Sequence, residues 1–131
     1  MLKLTKSVED YLETIYRISP EQNVVRVKEI ANLLSISLPS VTSSIKKLRK
    51  AGLVENEKYG YISLTEEGKV LAKDVYERHK ILYHFLTDIL NVSNKIAVEV
   101  ACRMEHCLSK ETAQKLKKFV NNKLTKNKRR D

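Results

Sequence analysis

Arg26-Val-Lys-Glu-Ile-Ala-Asn-Leu-Leu-Ser-Ile-Ser-Leu-Pro-Ser-Val-Thr-Ser-Ser-Ile-Lys-Lys-Leu-Arg-Lys-Ala-Gly52 holds two amphipathic segments separated by a short turn. Val27, Ile30, Ala31 and Leu34 recur at helical spacing in the first, and Leu38, Val41, Ile45 and Leu48 in the second, which predicts two short helices with these residues buried. Ser35-Ile36-Ser37 is the turn, Ser37 is placed to cap the second helix, Pro39 is tolerated in its first turn and Gly52 ends it. Two helices so joined read as a helix-turn-helix.

The outward face of the second helix carries Ser40, Thr42, Ser43, Lys46, Lys47, Arg49 and Lys50, and no acid occurs between Asn32 and Val54. Small hydroxyls at the start of such a helix can approach base edges, while lysines and arginines further along meet phosphates. An ordinary amphipathic helix with a basic surface is the plainer alternative. The next segment, Leu53 to Thr65, alternates apolar and polar side chains about Tyr59-Gly60, as a two-stranded hairpin does. Helix-turn-helix plus hairpin is a winged helix, which favours DNA binding. The expected contacts are Arg26, Lys28, Ser37, Pro39, Ser40, Thr42, Ser43, Lys46, Lys47, Arg49, Lys50 and, at the wing tip, Lys58 and Tyr59.

Charge supports a polyanionic partner: 25 Lys plus Arg stand against 16 Asp plus Glu in 131 residues, a formal net charge of +9. No apolar run approaches the roughly 18 residues that span a bilayer, and the N-terminus lacks a signal-peptide core, so a cytoplasmic protein with no membrane partner is expected. On one helix Cys102 and Cys107 would point about 140° apart, which argues against a disulfide between them. Cys107 reads as a small core residue.

Upstream, Ser7 to Ile18 predicts a helix capped by Ser7, with an apolar stripe of Val8, Tyr11, Leu12, Ile15, Tyr16 and Ile18. Asp10 and Glu13 fall opposite that stripe, either as a solvated acidic face or as oxygen ligands. Pro20 to Val25 reads as a break. Downstream, Thr65 caps a helix running to about Leu90, with Val70, Leu71, Val75, Leu82, Phe85, Leu86 and Ile89 on its apolar face. A helix of that length joins two modules, and His79, midway along it, reads by itself as a surface or internally satisfied residue. Ser93 caps the following helix. Ser109 caps a last one to about Lys123, with Ala113, Leu116, Phe119 and Val120 on one stripe and a disordered basic tail beyond.

Within Val100-Ala-Cys-Arg-Met-Glu-His-Cys107, three metal-ligating side chains stand at i, i+3 and i+4. On a helix Cys102, Glu105 and His106 share a stripe roughly 100° wide, apart from the apolar face of Ile96, Val100, Ala101, Met104, Cys107 and Leu108. Thiolate, carboxylate and imidazole together suit a transition metal better than calcium or magnesium. A solvated face on which the three are merely neighbours fits the spacing equally well.

In this order the motifs resemble the metal-dependent repressors related to the diphtheria toxin repressor and the manganese transport regulator. The resemblance runs from Ser7-Val-Glu-Asp-Tyr-Leu-Glu-Thr-Ile-Tyr16 through the winged helix to Ala101-Cys-Arg-Met-Glu-His-Cys-Leu-Ser109. It implies a mainly α fold, with an N-terminal winged helix-turn-helix and small hairpin wing at 1–72 and a helical metal-binding and dimerisation domain at 73–131. The metal ligands it implies are Asp10, Glu13, His79, Cys102, Glu105 and His106, in a homodimeric, non-enzymatic regulator of the short form that lacks an SH3-like domain. Asp10 and Glu13 are similar to the manganese-sensing branch and Cys102 to the iron-sensing branch. Fe(II) is therefore slightly favoured over Mn(II), with Co(II), Ni(II) or Zn(II) as substitutes. Tyr83 and Val98 stand where the iron branch has ligands of an ancillary site, whereas two ions sharing Glu13, Cys102 and Glu105 would match the manganese branch.

The resulting expectation is a metal-activated repressor of metal-uptake genes that binds an inverted-repeat operator as a dimer. Two other classes compete with it. A constitutive winged-helix protein with a structural metal would bind DNA whether or not a chelator is present, and a small metalloenzyme would act on a substrate at metal saturation.

Overall fold

In the computed structural model, which describes residues 4–18 and 24–130 and side chains as far as Lys126, the first helix, α1 (Lys6–Ile18), is capped by Thr5. The Val8 N–H donates to Thr5 Oγ1 at 3.3 Å, so the cap lies two residues before the expected Ser7. The expected break is described only from Val24 onward, and there it is a strand: β1 (Val24–Arg26). The remaining elements are α2 (Val27–Leu34), α3 (Leu38–Lys50), β2 (Val54–Asn56), β3 (Tyr61–Leu64), α4 (Glu66–His84), α5 (Asn94–Met104) and α6 (Lys110–Arg130). The chain divides into two compact units, Met1–Asp74 and Val75–Asp131.

In the first unit α1 packs on α2, β1 and β3, and α2 on α3. Their apolar faces meet in one core built on Leu12, Ile15, Val25, Ile30, Val41, Leu48, Val54 and Ile62. Each such side chain taken fully out of water contributes roughly 1.5–3 kcal/mol. The turn between α2 and α3 closes through left-handed Ser35 (φ 54°) and a 3.1 Å bond from Ile36 N–H to the Ala31 carbonyl. Ser37 then caps α3, accepting from the Ser40 N–H at 3.3 Å. Leu38, expected in the core, is 51% exposed, because it sits at the first position of α3, before the buried stripe of Val41, Ile45 and Leu48 begins.

The wing is part of a three-stranded antiparallel sheet in the order β1-β3-β2, with Val25 opposite Ile62 and Asn56 also opposite Ile62 on the other side. A single 3₁₀ turn, Lys58–Gly60, connects β2 to β3, with Tyr59 held at φ 63°. The start of α4 is pinned to the end of the helix-turn-helix. Thr65 N–H donates to the Leu53 carbonyl at 3.0 Å and Thr65 Oγ1 to the Gly52 carbonyl at 2.6 Å. Gly68 is required by the same approach, since a Cβ there would collide with the Leu53 carbonyl oxygen. Val70 does not join the apolar face and is 69% exposed.

The second unit has a core of Leu82, Leu86, Ala97 and Ala101, lined by Phe85, Val100, Leu108 and Leu116. The long helix changes from α4 into a π turn, Phe85–Ile89, and stops at left-handed Asn91 (φ 59°), where Val92 N–H returns to the Leu86 carbonyl at 2.8 Å. Ser93 occupies the N-cap of α5 without a side-chain bond, whereas Ser109 caps α6 by accepting from the Thr112 N–H at 3.1 Å. The backbone of the expected disordered tail is helical, because α6 continues to Arg130. Ile96, Met104, Cys107 and Phe119, expected inward, are exposed, as is Val98. Among the described residues no helix is long and apolar enough to cross a membrane.

Candidate metal centre and nucleic-acid interface

The α-helical turn of α5 ends at Met104, and Glu105–Cys107 tightens into a 3₁₀ turn. The regular wheel therefore holds through Cys102 and fails at Glu105, and Glu105, placed by spacing on a face apart from the core, is 1% exposed. Its carboxylate lies between two imidazoles. Oε2 is 2.9 Å from His79 Nδ1, and Oε1 is 3.2 Å from His106 Nε2. Cys102 Sγ is 3.8 Å from the same His79 Nδ1.

His79 reaches this cluster from α4. It is 7% exposed, so the surface reading of a lone mid-helix histidine is corrected: helix α4 carries the ring into the interior of the second unit. Both cysteines are free, and Cys107 is exposed rather than in the core, because the face it was expected to share with Ile96 and Met104 is itself exposed. One ligand atom each from His79, Cys102 and Glu105 lies within 4.8 Å of the others. Ligands about 2.0–2.3 Å from an ion can stand at most roughly 4.6 Å apart, so the trio needs a contraction of only tenths of an ångström. A buried carboxylate also needs compensating charge, which a cation supplies. Nitrogen, sulfur and oxygen donors in this set, two of them buried and Cys102 half-buried, fit a divalent transition metal.

Asp10 and Glu13 lie on α1 in the first unit. Asp10 Oδ2 is 2.8 Å from Lys6 Nζ and Glu13 Oε1 is 2.6 Å from Arg17 Nη2. Glu13 is 5% exposed, so the solvated acidic face holds at most for Asp10.

The candidate DNA contacts lie on the surface of the first unit. Ser40, Thr42, Ser43, Lys46, Lys47, Arg49 and Lys50 are exposed along α3, and Ser37 and Pro39 at its start. Two of the hydroxyls are committed to the helix itself: Ser37 caps it, and Thr42 Oγ1 donates to the Leu38 carbonyl at 3.0 Å. Between α3 and the wing runs a groove of about 400 Å³ lined by Thr42, Lys46, Arg49, Asn56 and Tyr61. Arg26 stacks its guanidinium 4.7 Å over the Tyr61 ring, Lys28 is exposed on α2, and Lys58 and Tyr59 stand at the wing tip, Tyr59 at 89% exposure. Sequence reasoning passed over Arg78, which is buried and donates to the Glu105 carbonyl at the start of the 3₁₀ turn.

Residues 3–62 match the family described as iron dependent repressor, N-terminal DNA binding domain, and residues 65–129 match its metal binding and dimerisation domain. A helix-turn-helix-type transcriptional regulator of Methanocaldococcus jannaschii is 42% identical over 118 residues, covering 89% of this chain and 94% of that protein. The transcriptional regulator MntR of Escherichia coli is 37% identical over 113 residues, 86% of this chain and 72% of that one. The iron-dependent repressor IdeR of Mycobacterium tuberculosis is 30% identical over 95% of this chain. Among solved structures, the manganese regulator SloR superposes with a TM-score of 0.74 at 34% identity over 92% of this chain. The chain spans about half the length of these last two, 54% of IdeR and 55% of SloR. Members of the matched family are DNA-binding regulators rather than enzymes. With both of its halves matched in order, the chain belongs to the iron-dependent repressor family of metal-dependent transcriptional regulators.

Proposed function

We propose that the chain is a metal-activated DNA-binding repressor of metal-uptake genes, its ion held by His79, Cys102, Glu105 and His106, with Asp10 and Glu13 of α1 as further ligands. The observation that carries this reading is the Glu105 carboxylate, 1% exposed, set between the His79 and His106 rings beside the Cys102 thiol. When bound, the ion supplies positive charge that neutralises thiolate and carboxylates. His79 and Glu105 orient one another, Cys102 contributes the soft donor, and the α1 carboxylates make the placement of the DNA-binding unit depend on the ion.

Fe(II) is the favoured cognate ion, because a thiolate in the donor set suits it better than Mn(II). The carboxylates of α1 pull the other way, and the names of the relatives, IdeR on one side and MntR and SloR on the other, span both metals. Dimerisation would cover Ile96, Val98 and Phe119, which the second unit leaves exposed. Two recognition helices in such a dimer would read an inverted repeat with half-sites about 34 Å apart or a multiple of it.

The test is anaerobic fluorescence anisotropy on a promoter-region DNA fragment, with Fe(II) and Mn(II) titrated separately against a chelated control. Binding that appears only with metal is the expected result, with Fe(II) acting at the lower concentration. Equal binding in chelator would favour a constitutive DNA-binding protein and overturn the sensor.

A further inference from the structure

We propose that Arg78 is a positioning residue for the metal centre, fixing the turn that presents Glu105 and His106. The inference rests on the reading of His79, Cys102, Glu105 and His106 as ligands, and it adds a group that is not itself a ligand. Arg78 is 8% exposed, and its Nη1 donates to the Glu105 carbonyl at 2.8 Å and to the Leu108 carbonyl at 3.4 Å.

Those two carbonyls lie at the end of a helical run, where main-chain oxygens lack partners within the helix. A cation there satisfies them and complements the helix dipole. The consequence is local but chemical. The run stops being α-helical at Met104, the 3₁₀ turn Glu105–Cys107 replaces it, and Leu108 leaves in an extended conformation. A 3₁₀ turn advances about 120° per residue instead of 100°, so the directions of Glu105 and His106 depend on that tightening.

Adjacent residues of α4 divide the task. Arg78 holds the Glu105 carbonyl, and His79 meets the Glu105 carboxylate at 2.9 Å. Glu105 is thus fixed at both ends, main chain and side chain, from one helical turn of α4.

Electrostatics and positioning make opposite predictions here. A guanidinium next to a cation site repels the ion, so if charge alone mattered, its removal would tighten metal binding. If Arg78 positions the turn, its removal loosens the ligands and weakens binding by the 10- to 100-fold typical of groups that orient metal ligands, about one to two decades. Lysine can donate to one carbonyl but lacks the planar fork that spans two, so it restores only part.

The experiment titrates Co(II) into the full chain and into Arg78→Met, Arg78→Lys and Cys102→Ala, following the thiolate-to-cobalt charge-transfer band and the d–d bands. Main-chain hydrogen exchange across 104–109 is measured on each apo protein. The expected result is a charge-transfer band in the wild type that Cys102→Ala loses. Arg78→Met should bind about 10- to 100-fold more weakly with altered d–d bands and faster exchange at 104–109, and Arg78→Lys should fall between. Wild-type affinity and spectrum in Arg78→Met, or tighter binding, would overturn the role of Arg78 while leaving the ligand set intact. A wild type with no thiolate band would overturn the ligand set and Arg78 with it. Should Arg78→Met fail to fold, Arg78→Lys decides the matter, because the charge is kept: weaker binding with faster exchange at 104–109 supports positioning, and wild-type affinity and exchange overturn it.

Discussion

His79 Nδ1 lies 2.9 Å from Glu105 Oε2 across 26 residues of sequence, and this contact ties α4 to the turn after α5 inside the second unit. It is the buried join of the proposed metal centre, because the Cys102 thiol and the His106 ring each approach one member of the pair. The arrangement explains how a carboxylate reaches the interior of a small helical unit. Either two imidazoles share its charge, or a cation among them does.

Glu105→Gln keeps the shape of the side chain and removes its charge. We expect metal-dependent DNA binding to be lost and Co(II) affinity to fall by more than about 100-fold, beyond the loss usual for outer partners. The far-UV circular dichroism should be that of the wild type. Isothermal titration with the metal, alongside operator anisotropy, decides the matter, and metal activation surviving in the variant would remove Glu105 from the ligand set.

How much of this was legible in the sequence differs by element. The helix-turn-helix was, because Val27, Ile30, Ala31 and Leu34 and then Val41, Ile45 and Leu48 keep helical spacing on both sides of a Ser-rich turn. Strand β1 was not, since three residues beside a proline-containing break are too few to show alternation, and its pairing to β3 is tertiary. The burial of Glu105 was hidden by a wheel that assumed an unbroken α-helix through a segment that turns 3₁₀. The role of Arg78 had no local signal at all: an arginine in an amphipathic helix reads as solvated, and its partner carbonyls lie 27 and 30 residues away.

Two leucine-type positions in the helix-turn-helix should respond very differently. Ile30 is fully buried, so Ile30→Ala removes packed methyl groups and should cost about 2–5 kcal/mol. Leu38 is 51% exposed, so Leu38→Ala should stay within about 1 kcal/mol. Urea denaturation of the apo chain measures both, and equal losses would mean that Leu38 is packed in solution.

Gly68→Ala should reverse the usual sign of a glycine replacement within a helix. In an open helix interior alanine is favoured by roughly 0.5–1 kcal/mol. Here the new Cβ would meet the Leu53 carbonyl oxygen, which already accepts from the Thr65 N–H, so α4 must shift away from the end of the helix-turn-helix. A loss of about 1–3 kcal/mol is expected, as for other overpacked sites. A melting temperature equal to or above that of the wild type would show that this junction gives way freely.

Contacts along α3 should separate into those that read sequence and those that hold phosphate. Lys46, Lys47, Arg49 and Lys50 are exposed and carry charge without a committed partner geometry, so each replaced by alanine should lower the slope of log affinity against log salt by about 1 if it meets a phosphate. Ser40 and Ser43 carry no charge, so their replacement should leave the slope unchanged and alter the ranking of operator variants by about 1–3 kcal/mol where a base contact is lost. Ser37 must be kept apart from this comparison. Its side chain accepts from the Ser40 N–H, so Ser37→Ala should first cost about 1 kcal/mol of stability through the lost cap. Salt titrations by anisotropy on the operator and on scrambled DNA distinguish the two groups. A slope that falls with the serines and stays constant with the lysines would mean that α3 meets the duplex by a different face.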